Sequence, residues 1–199
     1  MSNSIYHYPI SIPFDIKHPQ LSPPEEGRLM ANRRYDIVDK RLLSFIDSCD
    51  AYFVFNEYFV FTPGSTLRIH VDEPTLTRSI CKLILFMGDG GLVNWYDPLP
   101  EFKNKEGRLF FDQEVTLAHQ EHMIGDYIVN VGIPHNFYNN TDSLSYVAGF
   151  LLFDKHTNTF LTFEDGVERF SKYARQPVAQ KTTSDNIIQN TFDKSKEIE

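Results

Sequence analysis

Seven short hydrophobic runs occupy the middle of the chain, and several of them alternate apolar with polar residues. In chain order they are AYFVFNEYFVFT, TLRIHVD, SICKLILFM, LVNWYD, GRLFFDQ, DYIVNVG and LSYVAGFLLFD, between residues 51 and 154. Runs of this length, bounded by glycine, proline and aspartate, are typical of β-strands. They predict a mainly β core, either a sandwich or a barrel.

The two ends of the chain differ from this central pattern. Residues 1–34 contain five prolines and predict an irregular strap with a short strand near residues 8–12. Residues 35–48 carry apolar side chains at roughly helical spacing, and the stretch TFEDGVERFSKYARQ predicts a last short helix. We therefore expect one domain over residues 1–176, with helices flanking the β core. Residues 177–199 are polar and predict a tail outside that domain.

The net charge of −8 among 199 residues mainly indicates which partners the protein does not bind. It argues against a protein that binds nucleic acid or an anionic membrane, because both attract basic surfaces. No apolar run reaches the length of a membrane span, and the N-terminus lacks an apolar signal segment. Two cysteines are too few for a disulfide framework, so the expected setting is the cytoplasm, with reduced thiols. The sequence leaves the oligomeric state open, a homo-oligomer included.

The candidate chemistry begins at His70 and Asp72, which lie one residue apart near the end of a predicted strand. On a strand both side chains project from the same face, and a proline ends the ladder just beyond them. From 7 histidines and 27 acidic residues about one such pair is expected by chance, so the pair alone decides nothing. His135 follows a glycine and a proline that break another strand. Two imidazoles and one carboxylate would leave coordination positions open, as in the ligand set of non-haem Fe(II) oxygenases.

Each of these residues also has a structural alternative. His70 could be an exposed strand-end histidine paired with Asp72, Asp72 could serve a turn, and His135 could bond a turn backbone. His119 and His122 lie in the polar stretch VTLAHQEHMIG, which shows no strand pattern. We expect both of these histidines at the surface and outside the ligand set.

Two longer segments resemble the Fe(II)- and 2-oxoglutarate-dependent dioxygenases, especially small phage-type and aspartyl/asparaginyl-hydroxylase-like members. They are IHVDEPTLTRSICKLILFMGDGGLVNWYDP and GDYIVNVGIPHNFYNNT, and the resemblance covers roughly residues 50–153. It implies a double-stranded β-helix, or jelly roll, in which His70, Asp72 and His135 hold Fe(II). It also implies that 2-oxoglutarate and O₂ serve as cosubstrates and that an unknown substrate, a protein side chain or a small metabolite, is hydroxylated.

The sequence departs from this family at the anchor for 2-oxoglutarate. Members commonly carry an arginine on the strand after the second histidine, whereas no lysine or arginine lies between His135 and Lys155. A buried dicarboxylate without a charge partner would be strongly penalised. Arg78 and Lys82 are the expected substitutes, because their spacing puts them on one face if residues 78–86 form a strand. The alternative is that Arg78 lies at the rim and Lys82 extends to solvent.

Two other functions stay open at the level of sequence. One is a metal-dependent oxygenase that does not use 2-oxoglutarate. The other is a non-catalytic cupin-like or jelly-roll protein with a binding or structural role, in which the histidines are incidental. Jelly rolls carry many functions, so the fold alone does not make the chain an enzyme.

Overall fold

The computed structural model describes residues 4–33, 39–72, 79–97, 109–110 and 115–175. The strands of this part of the chain are β1 (His7–Ile10), β2 (Met30–Arg33), β3 (Ala51–Phe61), β4 (His70–Val71), β5 (Cys81–Tyr96), β6 (Leu109–Phe110), β7 (Leu117–Asn130), β8 (His135–Tyr138) and β9 (Ser145–Asp154). The helices are α1 (Lys40–Asp47) and α2 (Phe163–Phe170), and a short 3₁₀ turn, Ser171–Tyr173, follows α2. The predicted mainly β fold with flanking helices is confirmed. The predicted polar tail, residues 177–199, lies outside the described residues.

The strands form two sheets that share the two longest strands. The first sheet has the order β2-β3-β9-β5-β7-β1 and uses the first half of β5 with the second half of β7. The second sheet has the order β7-β5-β8-β4-β6 and uses the other halves of those strands. Every one of these pairs is antiparallel. Two antiparallel sheets joined by strands that run through both make a double-stranded β-helix, or jelly roll, as expected.

Glycines bend β5 where it passes from one sheet to the other. Gly88 and Gly90 have φ values of 71° and 67°, which glycine adopts without the steric cost that other residues meet. A Cβ on Gly90 would lie 2.0 Å from the Met123 carbonyl oxygen, so only glycine fits against β7 at this point. The pairing register of β5 with β7 also shifts between Phe86 and Gly91. The sequence had predicted two separate strands here, whereas the structure contains one bent strand.

The core has an inner layer between the sheets and an outer layer under the helices. Strand alternation decides which side chains enter which layer, because neighbours along a strand face opposite ways. The inner layer includes Phe61, Phe86, Val93, Trp95, Met123, Val129, Phe137 and Val147. The outer layer packs α1 and α2 on the first sheet through Leu42, Phe45, Ile46, Leu83, Leu85, Ile128, Phe150, Phe163 and Phe170. Both faces of the first sheet are therefore buried, and the inner face borders the space between the sheets.

Both helices begin at side-chain caps. The Asp39 carboxylate accepts a hydrogen bond from the Arg41 backbone N–H at the start of α1, 3.1 Å away. The Thr162 hydroxyl oxygen accepts one from the Asp165 N–H at the start of α2, also at 3.1 Å. The predicted helix over 35–48 is thus confirmed from residue 40 onward, while residues 34–38 lie outside the described residues. Neither helix has the length and hydrophobicity needed to cross a membrane, and the described ranges contain no other candidate span.

One prediction about strands was wrong. The polar stretch VTLAHQEHMIG was expected to lack strand structure, yet β7 begins within it at Leu117 and pairs with β5 as far as Tyr96. The first residues of β7 carry exposed or half-buried polar side chains, so the stretch shows no hydrophobic alternation for a sequence pattern to detect. β2 was also not predicted; it lies at the edge of the first sheet, paired only with β3 among the described strands.

Candidate metal centre

The strand pairing brings the two predicted ligand histidines side by side. His70 on β4 pairs directly with His135 on β8, and their ring centroids are 4.6 Å apart. Asp72 follows β4, and its Oδ1 lies 3.1 Å from His70 Nε2 and 3.9 Å from His135 Nε2. The potential ligand atoms of the three residues all lie within 4.8 Å of one another. Residues 65 positions apart in the chain thus converge on one point, and they do so because β4 and β8 are neighbours in the second sheet.

The two histidines are oriented by the same local device. The Nδ1 atom of His70 lies 2.8 Å from the Arg68 carbonyl oxygen, and that of His135 lies 2.9 Å from the Ile133 carbonyl oxygen. A carbonyl oxygen only accepts, so Nδ1 of each ring carries a proton and Nε2 is the nitrogen available to ligate an ion. Backbone bonds of this kind fix the tautomer and ring orientation of metal-ligating histidines. Both Nε2 atoms face Asp72, so the donor set fits a divalent ion that accepts imidazole and carboxylate ligands.

Lys82 reaches this group from the first sheet. Its Nζ lies 2.5 Å from Asp72 Oδ2 and 3.7 Å from Glu57 Oε2. Gly149 on β9 leaves room for the lysine stem, since a Cβ there would lie 2.6 Å from Lys82 Cε. The side chains of Lys82, Asp72 and Glu57 are between 10% and 13% exposed. The candidate centre therefore lies between the sheets, with its ligands on the second sheet and a buried ion pair linking it to the first.

The electrostatics keep Asp72 and His135 in the protonation states that bind a cation. Burial would raise the pKa of the Asp72 carboxyl, but the Lys82 ammonium and the His70 ring hold that pKa well below its usual range. Burial, and then the neighbouring His70 ring, lower the pKa of His135 to about 4 despite the opposing charge of Asp72. A charged carboxylate and a neutral imidazole are the protonation states that metal ligation requires.

The other residues that the sequence singled out lie in different parts of the structure. Arg78 lies outside the described residues. Lys82 does not extend to solvent, which was the alternative to an anchoring role; it is buried against Asp72. His122 is exposed, and its Nε2 lies 2.9 Å from the Asp89 carbonyl oxygen. His119 is half-buried on the other side of Trp95 and is not part of the group around Asp72.

Sequence reasoning missed Glu57, although a signal was present. It is the only charged residue in the run AYFVFNEYFVF, and it is buried, as are Tyr58 and Val60 further along the same strand. Acidic side chains are rarely buried unless they are paired. A lone acid in an otherwise apolar strand therefore indicates an internal partner, and the structure shows that this partner is Lys82.

No family model matches the chain, and neither does any curated protein. Solved structures similar to it include a 2OG-Fe(II) oxygenase family oxidoreductase from Burkholderia pseudomallei, 10% identical over 69% of this chain and 75% of that one, with a TM-score of 0.42. A prolyl-4-hydroxylase from Pseudomonas putida is 15% identical over 66% of this chain and 77% of that one, with a TM-score of 0.39.

An oxalate oxidase in complex with the substrate analogue glycolate is a further similar structure. It is 14% identical over 71% of this chain, with a TM-score of 0.35, and the chain spans only 59% of its length. At these values the likeness concerns the fold alone. The class of protein, a double-stranded β-helix with a His-Asp-His group between its sheets, follows from the strand pairing and side chains of this chain itself.

Proposed function

We propose that the chain is a non-haem Fe(II)-dependent oxygenase that uses 2-oxoglutarate to hydroxylate an as yet unidentified substrate. The observation that carries the proposal is the orientation of the two histidines. Both present Nε2 to the Asp72 carboxylate while Nδ1 is bonded to a backbone carbonyl. Two imidazoles and one carboxylate leave coordination positions open for further ligands. When bound, iron supplies the redox chemistry that activates O₂, and the side chains described below supply binding, charge and exclusion of water.

His70, Asp72 and His135 would hold the ion in this proposal. His70 and His135 are buried and the Asp72 side chain is only 13% exposed, which limits access of bulk water, and the low local dielectric strengthens each charge interaction within the group. Lys82 donates to Asp72 Oδ2 and so leaves Oδ1, the oxygen that faces both histidines, to ligate. Retention of this carboxylate favours hydroxylation, since halogenation would require the aspartate's coordination position for a halide.

Lys82 is also the residue we propose for the remote carboxylate of 2-oxoglutarate, together with Arg78. Among the described residues it is the only buried lysine or arginine, and it lies beside the candidate ligands. A dicarboxylate between the sheets needs such a cation, because an unpaired buried charge costs several kcal/mol. The ammonium can interact with the carboxylate as a point charge, whereas Arg78 could form a bidentate pair.

The test separates metal binding from cosubstrate binding. Metal-free protein is loaded with Mn(II) in place of Fe(II), and metal and then 2-oxoglutarate are titrated by calorimetry. We expect one ion to be lost in His70→Ala, whereas Lys82→Ala and Arg78→Ala should keep that ion and weaken 2-oxoglutarate binding. His122→Ala is the matched control, because this exposed histidine lies outside the group and should change neither titration.

Two results would contradict parts of the proposal. If His70→Ala binds as much metal as the wild type, the candidate centre does not hold a metal. If metal-loaded wild type shows no affinity for 2-oxoglutarate, the cosubstrate assignment fails and a 2-oxoglutarate-independent oxygenase takes its place. Turnover is then tested with Fe(II) under O₂, with ascorbate as the reductant that takes the second oxygen atom to water in the absence of substrate; 2-oxoglutarate should be converted to succinate and CO₂ by the wild type but not by His70→Ala.

A further inference from the structure

A second group of potential metal ligands lies on the other side of Trp95. It consists of His7, His119 and Glu121, whose potential ligand atoms all lie within 4.8 Å of one another. Trp95 pairs with His135 on one neighbouring strand and with His119 on the other. The two histidines are therefore two strand spacings apart, about 10 Å, so this group is distinct from the candidate centre at Asp72.

The geometry of this second group brings a carboxylate between two imidazoles. Glu121 Oε2 lies 2.6 Å from His7 Nε2 and 3.5 Å from His119 Nε2. His119 and Glu121 are two residues apart on β7 and so face the same way, while His7 comes from β1, the strand that pairs with the far half of β7. The group thus joins β1, at the N-terminus, to β7, one of the two strands shared by both sheets.

The histidine nitrogens of this group are not fully satisfied. Within the described ranges, His119 Nε2 and His7 Nδ1 are buried and have no hydrogen-bond partner. Leaving a buried polar atom without a partner costs about 1–3 kcal/mol, so such atoms in a folded protein call for a ligand. Of these two atoms, His119 Nε2 is the one that faces the Glu121 carboxylate, 3.5 Å away, and could share an ion with it. The side chain of His7 is 9% exposed, which makes it the buried member of the group.

Aromatic rings hold both histidines in place. Tyr6 stacks on His119 with ring centroids 4.8 Å apart and an angle of 5° between the planes. Trp95 lies 5.5 Å from the ring of His7 and 5.5 Å from the ring of His119. The side chains of His119 and Glu121 remain 34% and 28% exposed, which leaves a path from solvent. The arrangement combines fixed imidazoles, an adjacent carboxylate and an opening.

We propose that His7, His119 and Glu121 form a second metal site, for a divalent transition ion such as Zn²⁺. Two imidazoles and a carboxylate are an established zinc ligand set, with ligand distances of about 2.0–2.2 Å. The ion takes the place of the hydrogen bond between His7 Nε2 and the Glu121 carboxylate, and the proton of that bond moves to His7 Nδ1, so the ligating imidazole stays neutral. No redox change is involved. The bound ion links β1 to β7 and so holds the N-terminal segment on the jelly roll.

The test counts Zn²⁺ ions per chain after equilibrium dialysis, by elemental analysis of the full-length protein. Wild type is expected to hold two ions, one at each group, and His119→Ala one. His122→Ala is the matched control: it removes an exposed histidine from the same strand and should still hold two. Glu121→Gln keeps the size of the side chain while removing its charge. It should lower the affinity for the second ion by at least about tenfold with little effect on folding. Circular dichroism of each variant checks that the fold is retained.

Failure of this site can be told apart from failure of the proposed iron centre. If His119→Ala and Glu121→Gln both bind as many ions as wild type with the same affinity, the second site is overturned. If wild type binds one ion and His119→Ala binds none, the second site stands and the candidate centre at Asp72 fails. The chain's single tryptophan gives an independent readout. Paramagnetic Co²⁺ should quench Trp95 fluorescence in His70→Ala, and the absence of quenching in that folded variant would also overturn the second site.

Discussion

Replacement of Lys82 by methionine tests the buried ion pair that links the two sheets. Lys82 Nζ lies 2.5 Å from Asp72 Oδ2 and 3.7 Å from Glu57 Oε2, and all three side chains are largely buried. Methionine keeps much of the apolar stem but removes the charge, so two carboxylates lose their cation. Removing one partner of a buried pair typically costs about 3–5 kcal/mol, because the remaining charge is left unpaired. That is a large part of the roughly 5–15 kcal/mol by which a domain of this kind is stable.

The chain offers a matched control at its surface. Lys155 Nζ also lies 2.5 Å from a carboxylate, Asp47 Oδ1, but these side chains are 45% and 62% exposed. An exposed pair contributes about 0–1 kcal/mol, so Lys155→Met should change the free energy of unfolding by no more than that. The assay is urea unfolding of metal-free protein at pH 7, followed by circular dichroism, with the slope of each transition compared to confirm that the variants unfold alike.

A metal titration sharpens the same experiment. A divalent ion bound at Asp72 restores positive charge beside the carboxylates, so saturating Mn(II) should stabilise Lys82→Met more than it stabilises wild type. If Lys82→Met proves no less stable than Lys155→Met, the buried pair does not contribute as described. If Mn(II) leaves the difference between Lys82→Met and wild type unchanged, the ion does not bind next to this charge.

Three further predictions concern pH, backbone shape and the C-terminus. Burial lowers the pKa of His135 from 6.5 to about 4, so as the pH falls the unfolded chain binds a proton before the folded chain does. The free energy of unfolding of the metal-free protein should therefore fall by up to about 3 kcal/mol between pH 6.5 and pH 4. Unfolding titrations at several pH values measure this loss, which His135→Gln should reduce. Gly90→Ala should cost about 2–5 kcal/mol in urea unfolding, whereas Gly64→Ala, with φ of 75° and open space around its Cβ, should cost only about 1–2 kcal/mol. Truncation after residue 176 should leave the melting temperature unchanged; an insoluble product or a changed oligomeric state would show that the tail packs on a partner.

The sequence predicted the class of fold, and it named three residues that the structure brings together, His70, Asp72 and His135. Strand-like runs and the breaks between them are local features, and so is the spacing of His70 and Asp72. Their convergence with His135 was implied only by the family resemblance. It depends on the pairing of β4 with β8, which local patterns do not determine.

Features that depend on contacts between distant strands could not be predicted in the same way. The pairing of Lys82 with Glu57 and Asp72 depends on how the first sheet faces the second. His7 meets Glu121 because β1 pairs with β7, more than a hundred residues further along the chain. The polar first half of β7 looked like a loop because its inward positions hold His119 and Glu121 where a typical strand would hold apolar residues. A strand that lines a binding group thus lacks the pattern by which strands are recognised.

The position of β9 has a consequence for synthesis of the chain. β9 lies between β3 and β5 in the first sheet, although both of those strands precede it in the sequence. On the ribosome, residues 51–96 emerge well before residues 145–154. Until β9 is made, the backbone N–H and C=O groups of β3 and β5 that pair with it have no partner strand. Sheets built from such distant pairs fold slowly and leave apolar surface exposed in the meantime. We expect nascent chains arrested before residue 145 to remain sensitive to protease and to bind chaperones, with protection appearing only once β9 has cleared the exit tunnel.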